Sequence, residues 1–219
     1  MKIFIPIKKH SERVPNKNFR AFGRCPLYRH MIQKLKGLGR IFIDTDAPHY
    51  WFMHIAYANI YTRPASLRGG GVPVNLLIKN FLENYVDDDY ETIVQTHVTS
   101  PFLKIETLRD AISKFEFMQP NYRMPLMSVT RIQDRCWAEG RPKRPINHDP
   151  FELVPTQELE PVYVENSAFY IFTKRTFMEY EHRAGSNPTF YPLGWPENID
   201  INTEEDWELC VRLREMGYE

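Results

Sequence analysis

The sequence predicts an α/β protein, a three-layer α/β/α sandwich with a largely parallel sheet and helices on both faces. Two observations carry that prediction. Short apolar runs at Ile3-Phe4-Ile5, Ile41-Phe42-Ile43, Thr92-Ile93-Val94-Gln95 and Leu126 to Thr130 have the length and bulk of buried strands. Between them, apolar residues recur at three- and four-residue spacing, the pattern of helices laid on a sheet.

The first strand meets Pro6, which lacks the N–H that a central ladder needs. Lys8, Lys9, Arg13 and Lys17 follow within a dozen residues, punctuated by Ser11, Pro15 and Asn18. A helix then opens at Leu27, carries Met31 and Leu35 on its apolar face, and stops near Gly37 and Gly39. A strand, a basic loop and a helix in succession form a common phosphate-binding arrangement in α/β proteins. Neither G-x-x-x-x-G-K-[ST] nor G-x-G-x-x-G occurs, so any phosphate must be met by side-chain cations rather than by a glycine cradle.

The second strand ends in Asp44-Thr45-Asp46, and Val74, Leu77, Ile78, Phe81 and Leu82 mark a helix over 74–85. The third strand runs into His97, Thr99, Ser100 and Pro101, where Thr and Ser suit a helix cap as well as a ligand. Ile105, Leu108, Ile112 and Phe115 define the next helix, and Ala168 to Phe172 a later strand. Thr203 with Asp206 forms the capping box of a last helix, on which Trp207, Cys210 and Val211 share a face before Gly217 ends it. Residues 131–163 are rich in Pro, Arg, Asn and Asp without a sustained period, too long for an ordinary connection. They are expected to form an excursion, covering a site or meeting a partner subunit, within one domain spanning 1–219.

Bulk properties narrow the function. The chain has 28 basic and 28 acidic residues, so no net field draws nucleic acid or an anionic membrane. Cys25, Cys136 and Cys210 are odd in number and widely separated, which argues for reduced thiols rather than a disulfide framework or a zinc site. With no signal-peptide pattern and no membrane-length apolar run, a cytoplasmic protein is expected.

The spacing I-P-x-K-x-x-S-x-R-x-P-x-K-N, closing in G-x-P-L, resembles the opening of the acylneuraminate cytidylyltransferases, the CMP-sialic acid synthetase family related to the CMP-Kdo synthetases. Ile43-Asp44-Thr45-Asp46 resembles its second strand, Arg63-Pro64 with Asn75 its R-P…N segment, and Thr99-Ser100-Pro101 its T-S-P turn. Pro145 to Pro150, Thr156-Gln157, Glu165-Asn166-Ser167 and Tyr170-Ile171-Phe172 are similar to one branch of the family. Asp200-Ile201-Asn202-Thr203-Glu204-Glu205-Asp206 resembles its closing D-I-D-T-x-E-D. Each segment alone is weak. Their order along the whole chain is specific.

The resemblance implies transfer of CMP from CTP to the anomeric oxygen of a nine-carbon 2-keto sugar acid, with release of pyrophosphate. It implies a Rossmann-like nucleotidyltransferase fold (the nucleotide-diphospho-sugar transferase type) with a mostly parallel mixed sheet. It also implies Mg²⁺ as cofactor and a homodimer in which a protruding segment reaches the neighbouring site. CTP carries about four negative charges, which must be offset as pyrophosphate departs. Lys8, Arg13 and Lys17 are the catalytic cations in this reading. Together with Ser11, Asn18, Arg63 and Asn75 they bind the nucleotide. His97, Thr99, Ser100, Gln157, Tyr163, Asn166 and Phe169 fall where the family shapes its sugar pocket, although aromatic residues at alternate strand positions are equally at home in a core. Arg135, Asn147 and His148 either reach the sugar carboxylate or order their loop. Asp200 and Asn202 are the metal candidates, since Mg²⁺ takes few protein ligands and completes its shell with water or phosphate oxygens.

The chain departs from the family pattern at four places. Lys8 stands for an arginine, Gly70 for an aspartate, Pro155 for an arginine and Asn202 for the second acid. The remaining readings are therefore CMP-Kdo synthesis or another sugar nucleotidyl transfer, and a relative that binds nucleotide or sugar without turnover.

Overall fold

A computed structural model describes residues 1–118 and 124–219. In chain order the strands are β1 (Lys2–Ile7), β2 (Ala21–Phe22), β3 (Cys25–Pro26), β4 (Arg40–Thr45), β5 (Ala58–Thr62), β6 (Thr92–Thr96), β7 (Leu126–Ile132), β8 (Trp137–Ala138), β9 (Arg144–Pro145), β10 (Val162–Thr173) and β11 (Thr189–Pro192). The helices are α1 (Leu27–Lys34), α2 (Val74–Tyr85), α3 (Ile105–Phe117), α4 (Lys174–Tyr180) and α5 (Glu204–Glu215). Seven strands form one sheet in the order β11-β7-β10-β6-β1-β4-β5. Only β10 runs antiparallel to its neighbours; the other pairings are parallel. This is the mostly parallel mixed sheet expected from the sequence.

The period of two along each strand divides the core. Ile3, Ile5, Ile7, Ile41, Ile43 and Val94 face α1 and α3, where they meet Met31, Ile32, Leu108 and Phe115. The alternate residues Phe4, Phe42, Ile93 and Phe172 face α2 and α4, against Ile78, Phe81, Leu82 and Phe177. A third cluster joins α5 to the loop after β1: Val14 and Phe22 pack on Trp207, Cys210 and Leu213. The capping box between Thr203 and Asp206 is formed, and Gly217 leaves α5 at φ 96°. Leu213 rather than Val211 completes the buried face of α5; Val211 is only partly covered.

Several local expectations change. β1 continues through Pro6 to Ile7, because its ladder with β6 ends at Phe4 and only β4 flanks Pro6. The turn at Thr99-Ser100-Pro101 caps no helix; α3 begins at Ile105. β5 and β11 carried no clear strand signal, since each is an edge strand with at most one buried residue and β11 ends in Pro192. The excursion is shorter than its composition suggested, because Ile132 pairs with Val162 and Arg131 with Tyr163.

Candidate active site

Loops after three adjacent strands, β1, β4 and β6, open at the carboxyl edge of the sheet, where parallel α/β sheets place ligands. Hydrogen bonds tie these loops together. The Lys9 N–H donates to Asp46 Oδ1 at 2.6 Å, and Asn18 Nδ2 donates to the Lys8 carbonyl at 2.9 Å. The segment before α5 joins them where the Ile201 N–H donates to the Thr99 carbonyl at 2.9 Å. Between the loops lies a cavity of about 380 Å³, lined by Lys8, Ser11, Arg13, Lys17, Asn18, Arg63, His97, Thr99, Asp200 and Asn202 among others. Residues read from four separate segments of the sequence thus share one space.

At one end, Arg13 Nη2 donates to Asn202 Oδ1 at 2.7 Å, and Lys17 Nζ donates to the Ile201 carbonyl. Burial pushes the Lys17 ammonium below its ordinary pKa, opposed by Asp200 and reinforced by Arg13 and Lys8. A desolvated cation among like charges gains most from an anionic ligand. On the cavity, the hydroxyl of Ser11 and one oxygen of Asp200 are buried without a protein partner; the amide oxygen of Asn75 is likewise buried and unpartnered, but Asn75 lies outside the lining.

Arg63 is 3% exposed and pairs with Asp44, itself 1% exposed, at 2.8 Å. Burial nevertheless holds the Asp44 carboxyl up to about 6, against the pull of Arg63. Arg63→Ala is expected to destabilise the fold by about 3 kcal/mol at pH 8, by leaving a buried charge uncompensated. The loss should shrink at pH 5, where Asp44 takes a proton, and should be partly recovered in the Asp44→Asn/Arg63→Ala double variant. Urea unfolding at the two pH values measures both effects. A loss below about 1 kcal/mol at pH 8 would mean the pair is solvated rather than buried.

The other end of the cavity contains a residue that the sequence did not announce. Arg183 lies over the Tyr170 ring at 3.7 Å from its centroid and pairs with Glu165 at 3.1 Å. Its Nη1 donates to Gln95 Oε1 at 2.9 Å, and the Gln95 amide nitrogen stands 2.6 Å from His97 Nε2. Arg183 follows α4 in a stretch without motif, so nothing local marks it. Burial, then Arg183 and Lys17, press the His97 imidazole down to about 3, keeping it neutral.

Asp200 and Asn202, the metal candidates, both line the cavity. No group of three or more His, Cys, Asp or Glu able to hold a metal occurs among the described residues. Asp200 Oδ1 is buried and unpartnered, while Oδ2 accepts from Asn202 Nδ2 at 2.8 Å. One carboxylate oxygen on the cavity fits Mg²⁺ only if ligand oxygens and water complete the shell. The carbonyl of Asn202 already accepts from Arg13, so Asn202 links Asp200 to the cation cluster.

Five sugar-pocket candidates lie outside this cavity's lining. Phe169 is corrected to a core residue: it is fully buried and meets Tyr191 edge to face at 5.7 Å. The Asn166 amide serves Thr130 and the Ala168 N–H. Gln157 is exposed on a 3-10 turn spanning Thr156–Glu158, and Tyr163 is exposed on β10 against Phe190. Ser100 is buried beside Thr99 and does not line the cavity. In the excursion, Asn147 bonds Cys136, Asp134 and Glu160, Arg135 donates to the Val154 carbonyl, and His148 meets Trp137 edge to face. These three residues order the loop in this chain.

The profile of the family described as Cytidylyltransferase matches residues 3–206. The chain belongs to the cytidylyltransferase family. Its relatives carry the resemblance to acylneuraminate cytidylyltransferases and mark the family as one of nucleotidyltransferases. A Legionella pneumophila protein named CMP-N,N'-diacetyllegionaminic acid synthase is 26% identical, over 98% of this chain and 96% of that protein. An N-acylneuraminate cytidylyltransferase of Streptococcus agalactiae is 22% identical over 93% of this chain, which spans half of that protein's length. Among solved structures, CMP:2-keto-3-deoxy-manno-octonic acid synthetase complexed with CTP aligns at a TM-score of 0.69, with 11% identity and 98% of each chain covered. 4-Diphosphocytidyl-2C-methyl-D-erythritol synthase aligns at 0.66, with 12% identity and 97% of this chain and 98% of that one covered. At such identities these two alignments establish the nucleotidyltransferase fold of this family member. No described helix is long and apolar enough to cross a membrane.

Proposed function

We propose that this family member transfers CMP from CTP to the anomeric oxygen of a sialic-acid-like, nine-carbon 2-keto sugar acid and releases pyrophosphate. The observation that carries this reading is the convergence of Lys8, Arg13 and Lys17 on one cavity that Asp200, His97 and Thr99 also line. In the step, the anomeric oxygen bonds to the α-phosphorus while the bond from that phosphorus to the bridging oxygen breaks. Pyrophosphate leaves with the electron pair, and the hydroxyl proton passes to solvent. The three cations offset the charge that grows on the leaving group. Arg63, fixed by Asp44, and Asn75 serve the nucleotide; His97 and Thr99 serve the sugar acid. Mg²⁺, held by Asp200 with ligand oxygens, would neutralise the α-phosphate and acidify the anomeric hydroxyl.

The chain is read as one domain whose excursion dimerises with a second copy. Phe151, Leu153, Ile146 and Trp137 are all more than half exposed on the excursion, which supports a partner there. Gln157 and Tyr163, outside this chain's cavity, would then complete the sugar pocket of the partner subunit. A cytoplasmic setting suits CTP as substrate and the three free cysteines.

The test is pyrophosphate release from CTP and Mg²⁺ with a panel of nine- and eight-carbon keto-sugar acids. A nine-carbon acid should be used best; preference for an eight-carbon acid would favour the Kdo-type alternative. Asp200→Ala should abolish Mg²⁺-dependent release, and unchanged activity would remove Asp200 from the metal site. One contact favours a second reading, binding without turnover: Arg13 is tethered by a neutral amide at Asn202. CTP binding by calorimetry with no pyrophosphate from any acid would select it.

A further inference from the structure

Behind His97 runs a chain of hydrogen bonds whose directions follow from one residue that can only donate. Arg183 carries no acceptor, so the Gln95 atom facing it at 2.9 Å is the carbonyl oxygen. The Gln95 NH₂ therefore faces His97, 2.6 Å from Nε2. Arg183 Nη1 also points at that nitrogen, at 3.5 Å. With donors on that side, Nε2 must be the acceptor, and the imidazole proton resides on Nδ1. No hydrogen bond occupies Nδ1 among the described residues, and His97 lines the cavity.

Arg183 is itself held in place. Its side chain is 12% exposed, its Nη2 donates to Glu165 Oε1 at 3.1 Å and to the Tyr170 hydroxyl at 2.8 Å, and its guanidinium carbon lies over the Tyr170 ring. Gln95 is fully buried on β6 and cannot swing to solvent. The charged groups facing His97 are Arg183 from the loop after α4 and Lys17 from the loop after β1. Lys8, Arg13 and Asp200 share the cavity, and Glu165 and Tyr170 on β10 are joined to it through Arg183.

We propose that Arg183, acting through Gln95, is a positioning residue that locks His97 as the neutral Nδ1–H tautomer. The lock presents one N–H donor to an acceptor oxygen of the sugar acid and makes this end of the cavity selective for such an oxygen. The inference rests on the cytidylyltransferase reading for its ligand, but the tautomer itself does not. Both neighbouring cations oppose protonation of the ring, so the donor persists as the pH falls.

Long-range ¹H–¹⁵N spectra of histidine-labelled, ligand-free protein test the lock. Wild type should show His97 with Nδ1 protonated, Nε2 unprotonated and no titration between pH 5 and 7. Gln95→Glu, of nearly the same shape, puts an acceptor toward Nε2; the tautomer should invert or the ring should charge. Arg183→Met should let the ring titrate near the ordinary histidine range, while Arg183→Lys keeps a donor on Gln95 and should retain much of the lock. In turnover, Arg183→Met should raise KM for the sugar acid about tenfold with KM for CTP unchanged, the loss of roughly one hydrogen bond. That KM should also become pH-dependent between pH 5 and 7. An Nε2–H tautomer in wild type, or titration of His97 in that range, overturns the proposal. Equal sugar KM in wild type and Arg183→Met overturns the recognition it assigns to His97. Absence of pyrophosphate release with every acid would sink the enzymatic reading alone, because the spectra need no ligand.

Discussion

Lys17→Met is expected to lower pyrophosphate release by roughly 10²–10³-fold, the usual effect of removing one aimed electrostatic stabiliser. Lys17 should count for more than Lys8 or Arg13 because the fold has desolvated it. It sits on a short 3-10 turn, Lys17–Phe19, entered through Asn16 at φ 55°, with its ammonium on the Ile201 carbonyl and near Asp200. Methionine keeps the length and apolar contacts of the stem but removes the charge. Lys17→Arg should restore little, since a planar fork does not replace a point charge in a half-buried position. Steady-state kinetics, with circular dichroism to confirm folding, decide the matter. A loss below about fivefold would return Lys17 to the status of a solvated loop cation.

The protein should lose about 2–3 kcal/mol of stability between pH 7 and pH 5, through two histidines that the fold keeps neutral. His30 is buried, its Nδ1 2.9 Å from Arg214 Nη1 and its Nε2 3.0 Å from the Pro101 carbonyl. An arginine that only donates leaves Nε2–H as the protonated position, and a second proton would face the guanidinium. Burial first, then Lys34, with a smaller push from Arg214, brings His30 down to about 4, and His97 lies at about 3. For a base whose folded pKa lies below the unfolded value of about 6.5, the contribution is complete above that value. It declines as the pH falls toward the folded pKa, because only the unfolded chain takes the proton. Each histidine thus loses about 2 kcal/mol by pH 5. Asp44 works in the opposite sense. Its folded pKa of about 6 exceeds the unfolded one, so its contribution is present at low pH and is lost as pH rises through 6. On acidification it returns about 1 kcal/mol. Urea unfolding at pH 7, 6 and 5 should show the net loss, and His30→Gln should remove most of one histidine's share. A gain of about 1 kcal/mol between pH 7 and pH 5, the share of Asp44 alone, would show that neither ring is held neutral.

Much of this was legible in the chain. The helix over 74–85 and the capping box at Thr203 are local events, written in apolar spacing and in the reach of a short side chain to a nearby N–H. The edge strands β5 and β11 were not, because a strand buried on little of its surface leaves almost no apolar alternation. Phe169 shows the limit of a resemblance: its segment matched, but the pleat turned the ring into the core.

The sequence by itself determined the alternation of strands and helices, the basic loop after β1, and the ordered segments that mark the family. These depend on neighbours in the chain, whose spacing is set by backbone geometry. Only the tertiary structure decided which groups meet. Arg13 and Asn202 are 189 positions apart, and Arg183 reaches Gln95 across 88. Contacts of that kind arise from how sheet and helices pack, so the tether on Arg13 and the tautomer of His97 became visible only in the folded chain.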